Sequence, residues 1–75
     1  MVTAYVMVKA NTGEADRLLD EIASVDGVTD AHIVAGDVDV IAKVDVDAPA
    51  DVKAIAASTI QNITGVEDTE TYISM

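Results

Sequence analysis

Seventy-five residues without a cysteine leave room for one domain with no disulfide and no thiolate metal site, and a lone core of this size typically supplies only ~3–5 kcal/mol. Association with further copies is the first expectation. Fourteen acidic against four basic residues give a formal charge of −10, which repels a phosphate backbone and excludes direct nucleic-acid binding as the expected role. Acids spread over the whole chain, scarce lysine and small apolar residues form a balance like that of proteins from salt-loving archaea, so folding is expected to be marginal in dilute buffer. No apolar run approaches the roughly 20 residues that cross a bilayer, and no basic start precedes an apolar stretch, so the chain is expected to be complete and cytoplasmic.

Val2 to Lys9 alternates, with Val2, Ala4, Val6 and Val8 on one side and Thr3, Tyr5, Met7 and Lys9 on the other, which predicts a strand. Asn11 stands three residues before Glu14 in a spacing like a capping box. Apolar residues then fall at Ala15, Leu18, Leu19, Ile22 and Val25, an amphipathic helix closed by Asp26-Gly27. Val28–Ala35 and Val38–Val46 are β-rich, and Gly36-Asp37 between them predicts a tight hairpin. Pro49 suits the first turn of a second helix, with Val52, Ile55, Ala56, Ile60 and Ile63 at helical spacing until Thr64-Gly65. Val66 to Ser74 supplies the last strand.

An internal repeat supports this order independently. Pairing Met1–Asp37 with the residues 38 positions later gives nine identities in 37 pairs, among them Val2/Val40, Ala4/Ala42, Val6/Val44, Ile22/Ile60, Gly27/Gly65 and Val28/Val66. Two βαβ halves interleave into an α+β fold, a ferredoxin-like βαββαβ plait with a four-stranded antiparallel sheet and both helices on one face. The alternation that turns Val2, Ala4, Val6, Val40, Ala42 and Val44 inward sends Tyr5, Met7 and Ile41 to the open face, where large apolar groups mark an interaction surface. The inward parity of strands two and four stays open, because Ile33 and Ile73 compete with Val34 and Tyr72.

No catalytic set can be assembled. The chain has no Gly-rich phosphate loop, no paired histidines, no Cys nucleophile and no serine in an elbow-like setting, so no enzyme and no cofactor are expected. His32 is alone, and on a strand it reads as a surface or interface residue. Asp37, Asp39, Asp45 and Asp47 do not match a cation-loop pattern and read as a solvated face rather than a metal site. Acylphosphatase-type chemistry needs an arginine-bearing phosphate loop after the first strand, where this chain has Ala10-Asn11-Thr12-Gly13. Copper-chaperone chemistry needs a Cys-x-x-Cys.

The hairpin Ala35-Gly36-Asp37-Val38-Asp39 remains. Its backbone N–H groups can hold a carboxylate and its side-chain carboxylates an ammonium, the two ends of an amino acid. The alternative is that Gly36 and Asp37 simply make the turn.

His32-Ile33-Val34-Ala35-Gly36-Asp37-Val38-Asp39 followed by Ile41-Ala42-Lys43-Val44 resembles the signature of the Lrp/AsnC effector domain, also called the RAM or AsnC-type ligand-binding domain. Val2–Val6, Val25-Asp26-Gly27-Val28, and Ile63-Thr64-Gly65-Val66 with Thr69-Glu70-Thr71 extend the likeness over the whole chain. Ala35 stands where the family commonly has a hydroxyl residue, and Val38 where it commonly has an aromatic. The resemblance implies plait-folded dimers paired sheet against sheet, a dimeric α/β-barrel type of assembly, further assembled into tetramers or octamers, with Tyr5, Met7 and Ile41 in the dimer interface. It implies an amino acid or related metabolite bound between subunits by Gly36, Asp37, Val38, Asp39, Thr69 and Thr71. It also implies a regulatory role exercised without a helix-turn-helix, including combination with full-length Lrp/AsnC regulators. A purely structural subunit with a decayed ligand site, and an ACT-type regulatory module with the same strand order, are the rival expectations.

Overall fold

The computed structural model describes all 75 residues, Met1–Met75. Strand β1 runs Val2–Ala10, helix α1 Ala15–Ala23, strands β2 and β3 Val28–Ile33 and Val40–Val46, helix α2 Pro49–Lys53, and strand β4 Val66–Ile73. Helix α2 continues directly as a π-helical stretch, Ala54–Ile60, closed by Gln61, whose N–H donates to the Ala56 carbonyl at 3.2 Å. The sheet order is β2-β3-β1-β4 with antiparallel neighbours throughout, the predicted plait.

The core is the predicted one. Ala4, Val6, Val8, Val40, Ala42 and Val44 are buried on one side of the central strands, under Leu18 and Ile22 of α1 and Val52, Ala56 and Ile60 of the second helical segment. Fully burying a residue such as Leu18 or Ile22 contributes about 1.5–3 kcal/mol. Repeat partners share their environment, as Ala4/Ala42, Val6/Val44 and Ile22/Ile60 are all buried.

Register resolves the parity of the outer strands. Ala31 faces Ala42 and Ile33 faces Val40, so both stand on the helix side, whereas His32 opposes Ile41 on the open face. On β4, Thr69, Thr71 and Ile73 oppose Val8, Val6 and Ala4 on the helix side, and Tyr72 opposes Tyr5 on the open face.

Local corrections concern element ends. Asn11 and Glu14 form no capping box: α1 begins after Glu14 with no side-chain cap, because Gly13 turns the chain at φ 81° and the Glu14 carboxylate takes Arg17 at 2.7 Å instead. The helix ends at Ala23, before Asp26-Gly27, and Val25 accepts a turn bond from Val28 N–H. The second helical segment ends at Ile60, so Ile63 lies in the following turn, donating to the Ile60 carbonyl. The hairpin is wider than a two-residue turn. Strand β2 stops at Ile33 and β3 starts at Val40, and Gly36 does not adopt the positive φ that a tight Gly-Asp turn would demand.

Candidate functional site

The loop Val34–Asp39 is held at its base. Val34 N–H donates to the Asp39 carbonyl and Asp39 N–H to the Val8 carbonyl, both at 2.9 Å, while Ala10 N–H donates to the Asp39 carboxylate at 2.9 Å. Asp39 is thereby tied to β1 and fixes where the hairpin stands. Above it the N–H groups of Ala35, Gly36, Asp37 and Val38 donate to no group of the chain. A side chain built at Gly36 would meet nothing within 4 Å.

Beside the loop lies a cleft of about 150 Å³ lined by Met7 and Lys9 of β1, Asp37 and Val38 of the hairpin, and Asp68, Thr69 and Glu70 of β4. One ammonium and three carboxylates surround a space next to free backbone donors. Such a wall can meet both ends of an amino-acid zwitterion with charge-assisted hydrogen bonds. Asp37, Val38 and Thr69 are therefore brought together, Gly36 stands at the exposed tip, and Asp39 turns to β1. Thr71 lies elsewhere, lining a groove of about 260 Å³ between β4 and the second helical segment. Lys9, Asp68 and Glu70 escaped the sequence reading, although the alternation of β1 already placed Lys9 on the same face as Met7.

The open face carries Tyr5, Met7 and Ile41 outward as expected, and Tyr72 joins them opposite Tyr5. Tyr5 is 39% and Tyr72 53% exposed. The Tyr72 hydroxyl donates to the Glu70 carboxylate, whose acceptance of that hydrogen bond pushes the phenol above its ordinary pKa. At the β2 edge His32 Nε2 meets the Asp30 carboxylate at 2.9 Å, and this bond is the main cause holding Asp30 below the usual carboxylate value. Asp45 is likewise lowered, first by the Thr3 hydroxyl and then by that of Thr29.

No group of three or more His, Cys, Asp or Glu side chains is placed to hold a metal ion, and no helix is long and apolar enough to cross a membrane.

Comparison with known proteins gives this geometry a context. Curated proteins return no match. TTHA0845 from Thermus thermophilus is 27% identical over the whole chain and 94% of its own length, with a TM-score of 0.95. FFRP-DM1 is 25% identical over the whole of both chains, with a TM-score of 0.93. A transcriptional regulator of Neisseria meningitidis, NMB0573, solved as a complex with L-Met, shares the fold at a TM-score of 0.86 and 13% identity; the chain spans about half the length of that regulator. The model of the Lrp/AsnC ligand binding domain matches residues 3–75, and the chain belongs to that family.

Proposed function

We propose that the chain senses a free amino acid in the cleft beneath the hairpin and regulates transcription or metabolism through its state of assembly. The observation that carries this reading is the double membership of Met7, which lines the cleft and belongs to the outward apolar cluster with Tyr5, Ile41 and Tyr72. A second copy seated on the open sheet face would cover one wall of the cleft. Ligand affinity then differs between associated and free states, which is what a population shift requires. The ammonium group meets Asp37, Asp68 or Glu70, and the carboxylate meets Lys9 or the free N–H groups of Gly36, Asp37 and Val38. Thr69 and Val38 close the sides. Asp39 acts by positioning the hairpin, and Thr71 stands outside this cleft. The L-Met complex of the Neisseria regulator supports the ligand class. Partners on this reading are further copies and full-length family members, and the regulatory action needs no direct DNA contact.

Calorimetry against the twenty amino acids, paired with light scattering, tests it. Binding of at least one with a change in assembly size is expected. No heat from any, with assembly size unchanged, overturns the sensing role. That outcome would favour a structural subunit, the reading to which Ala35 and Val38 lend support because the hairpin lacks a hydroxyl and an aromatic at these positions.

A further inference from the structure

The two halves of the repeat differ most around the groove between the second helical segment and β4. Leu18 and Leu19 of α1 correspond to Ala56 and Ala57, and Ala31 and Ile33 of β2 correspond to Thr69 and Thr71 of β4. In the first half Leu18 is fully buried and Leu19 packs against the core. In the second half two side chains are cut to methyl groups, and the strand beneath carries hydroxyls. The result is the groove of about 260 Å³. Its helical wall is formed by Pro49, Val52 and Lys53 of α2 and by Ala56 and Ala57 of the π-helical stretch that continues it, a rare geometry that recurs at functional sites.

The chemistry of the lining is uneven in a specific way. Val52, Ala56, Ala57 and Ile73 make an apolar floor. The hydroxyls of Thr3 and Thr29 are bonded within the chain, whereas those of Thr69 and Thr71 are not. Lys53 stands at the wall as the single charged group, and none of the chain's ion pairs uses it. No carboxylate lines the groove, so an ammonium group would find no counter-charge there. In this it is the converse of the hairpin cleft, with its three carboxylates.

We propose that this groove is a second small-molecule site, selective for a monocarboxylate with an apolar tail and no amino group. The tail lies over Val52, Ala56, Ala57 and Ile73, the carboxylate meets the Lys53 ammonium, and the threonine hydroxyls donate to its oxygens. The volume is adequate, since an apolar cavity of about 150 Å³ accommodates a benzene molecule. Thr69 lines both the groove and the hairpin cleft, so an occupant on one side of β4 is one side chain away from the other.

The test is titration of the whole chain in molar potassium chloride with 4-methylpentanoate, and with leucine as the zwitterion, followed by amide NMR and calorimetry. The expected result is saturable 4-methylpentanoate binding that shifts Ala57, Thr71 and Ile73. Ala57→Leu fills the groove from an exposed position and weakens binding about tenfold or more. Lys53→Gln weakens it about threefold in a parallel titration at about 0.1 M potassium chloride, where an exposed ion pair is less screened than in molar salt. Circular dichroism verifies that both variants fold, and Thr71→Val provides a third, near-isosteric probe expected to weaken binding. Absence of saturable binding, shifts confined to Met7, Lys9 and Asp37, or unchanged affinity in folded Ala57→Leu overturns the proposal. Leucine binding at the hairpin cleft is read from the Met7 and Lys9 amides in the same titrations, so loss of one site is distinguished from loss of the other.

Discussion

Gly27 and Gly65 stand 38 residues apart and adopt the same left-handed backbone, φ 95° and 103°, at the turn that returns each helical segment to the sheet. A Cβ at Gly27 would lie 2.6 Å from Ile55 Cδ1, and one at Gly65 would lie 2.5 Å from the Arg17 guanidinium. Both neighbours are ends of flexible side chains, but the dihedral penalty cannot be relieved by moving them. Gly27→Ala and Gly65→Ala are each expected to destabilise by about 1–3 kcal/mol. For a domain of this size that corresponds to melting about 5–20 °C lower, as calorimetry can check.

That pair also shows how much of the fold was legible beforehand. Valine and alanine at period two, helical stripes and two glycines 38 residues apart specify elements, order and core, because burial on one face leaves each side chain a single acceptable side. Element ends were less legible. The Asn11 and Glu14 spacing satisfies a capping rule, yet Arg17 three residues on competes for the Glu14 carboxylate and takes it. The parity of β2 depends on the register irregularity between Val28 and Asp30, which local alternation cannot reveal. The candidate site was half legible for a similar reason. Gly36, Asp37 and Val38 are contiguous, but the meeting of Asp37 and Val38 with Lys9, Asp68 and Glu70 is a product of strand order.

Salt should raise stability. With a formal charge of −10 on 75 residues, self-repulsion opposes the compact state, and the Debye length falls from about 10 Å at 0.1 M to about 3 Å at 1 M. The melting temperature is expected to rise by about 5–15 °C between dilute buffer and molar potassium chloride. An unchanged value across that range would show that the acidic surface is not what limits folding.

Association through the open sheet face makes a separate prediction. Tyr5 and Tyr72 sit opposite each other across β1 and β4, partly exposed, with Met7 and Ile41 alongside. Aromatic side chains at the centre of an interface carry a disproportionate share of its energy. Tyr5→Ala or Tyr72→Ala is expected to weaken self-association about thirtyfold, seen as a shift toward monomer in sedimentation or light scattering over a dilution series. Leu19→Ala, on the helix side, serves as the control that should leave the association constant unchanged.

Acid sensitivity should depend on Thr3. Its hydroxyl is the largest cause lowering the Asp45 carboxyl below 3.8, with the Thr29 hydroxyl second. A depressed carboxyl stabilises the fold fully above the unfolded-state value near pH 3.8, and that contribution disappears as pH falls through the lower folded-state value. Thr3→Val removes the largest cause and so reduces this pH-dependent part, leaving the Thr29 hydroxyl to act. Urea midpoints measured at pH 7 and in steps from pH 4 to pH 2 should fall more steeply in the unmodified chain than in Thr3→Val. Equal slopes would mean that the Thr3 to Asp45 hydrogen bond does not persist in solution.

Gly36 offers the sharpest separation of structure from sensing. Its φ is not positive, a Cβ there would meet nothing within 4 Å, and the neighbouring N–H groups are unused within the chain. The fold of a single copy therefore makes no demand for glycine at this position, unlike Gly27 and Gly65. Gly36→Ala should leave the melting temperature unchanged or raise it by a few degrees, because alanine restricts the unfolded chain more than glycine does. Gly36→Val adds bulk at the hairpin tip, where a ligand or a neighbouring copy would approach the backbone. It is expected to weaken amino-acid binding in calorimetry about tenfold or more, while circular dichroism stays that of the unmodified chain. Retained affinity in folded Gly36→Val would place the ligand away from the hairpin, whereas a lower melting temperature for Gly36→Ala would return this glycine to a purely conformational role.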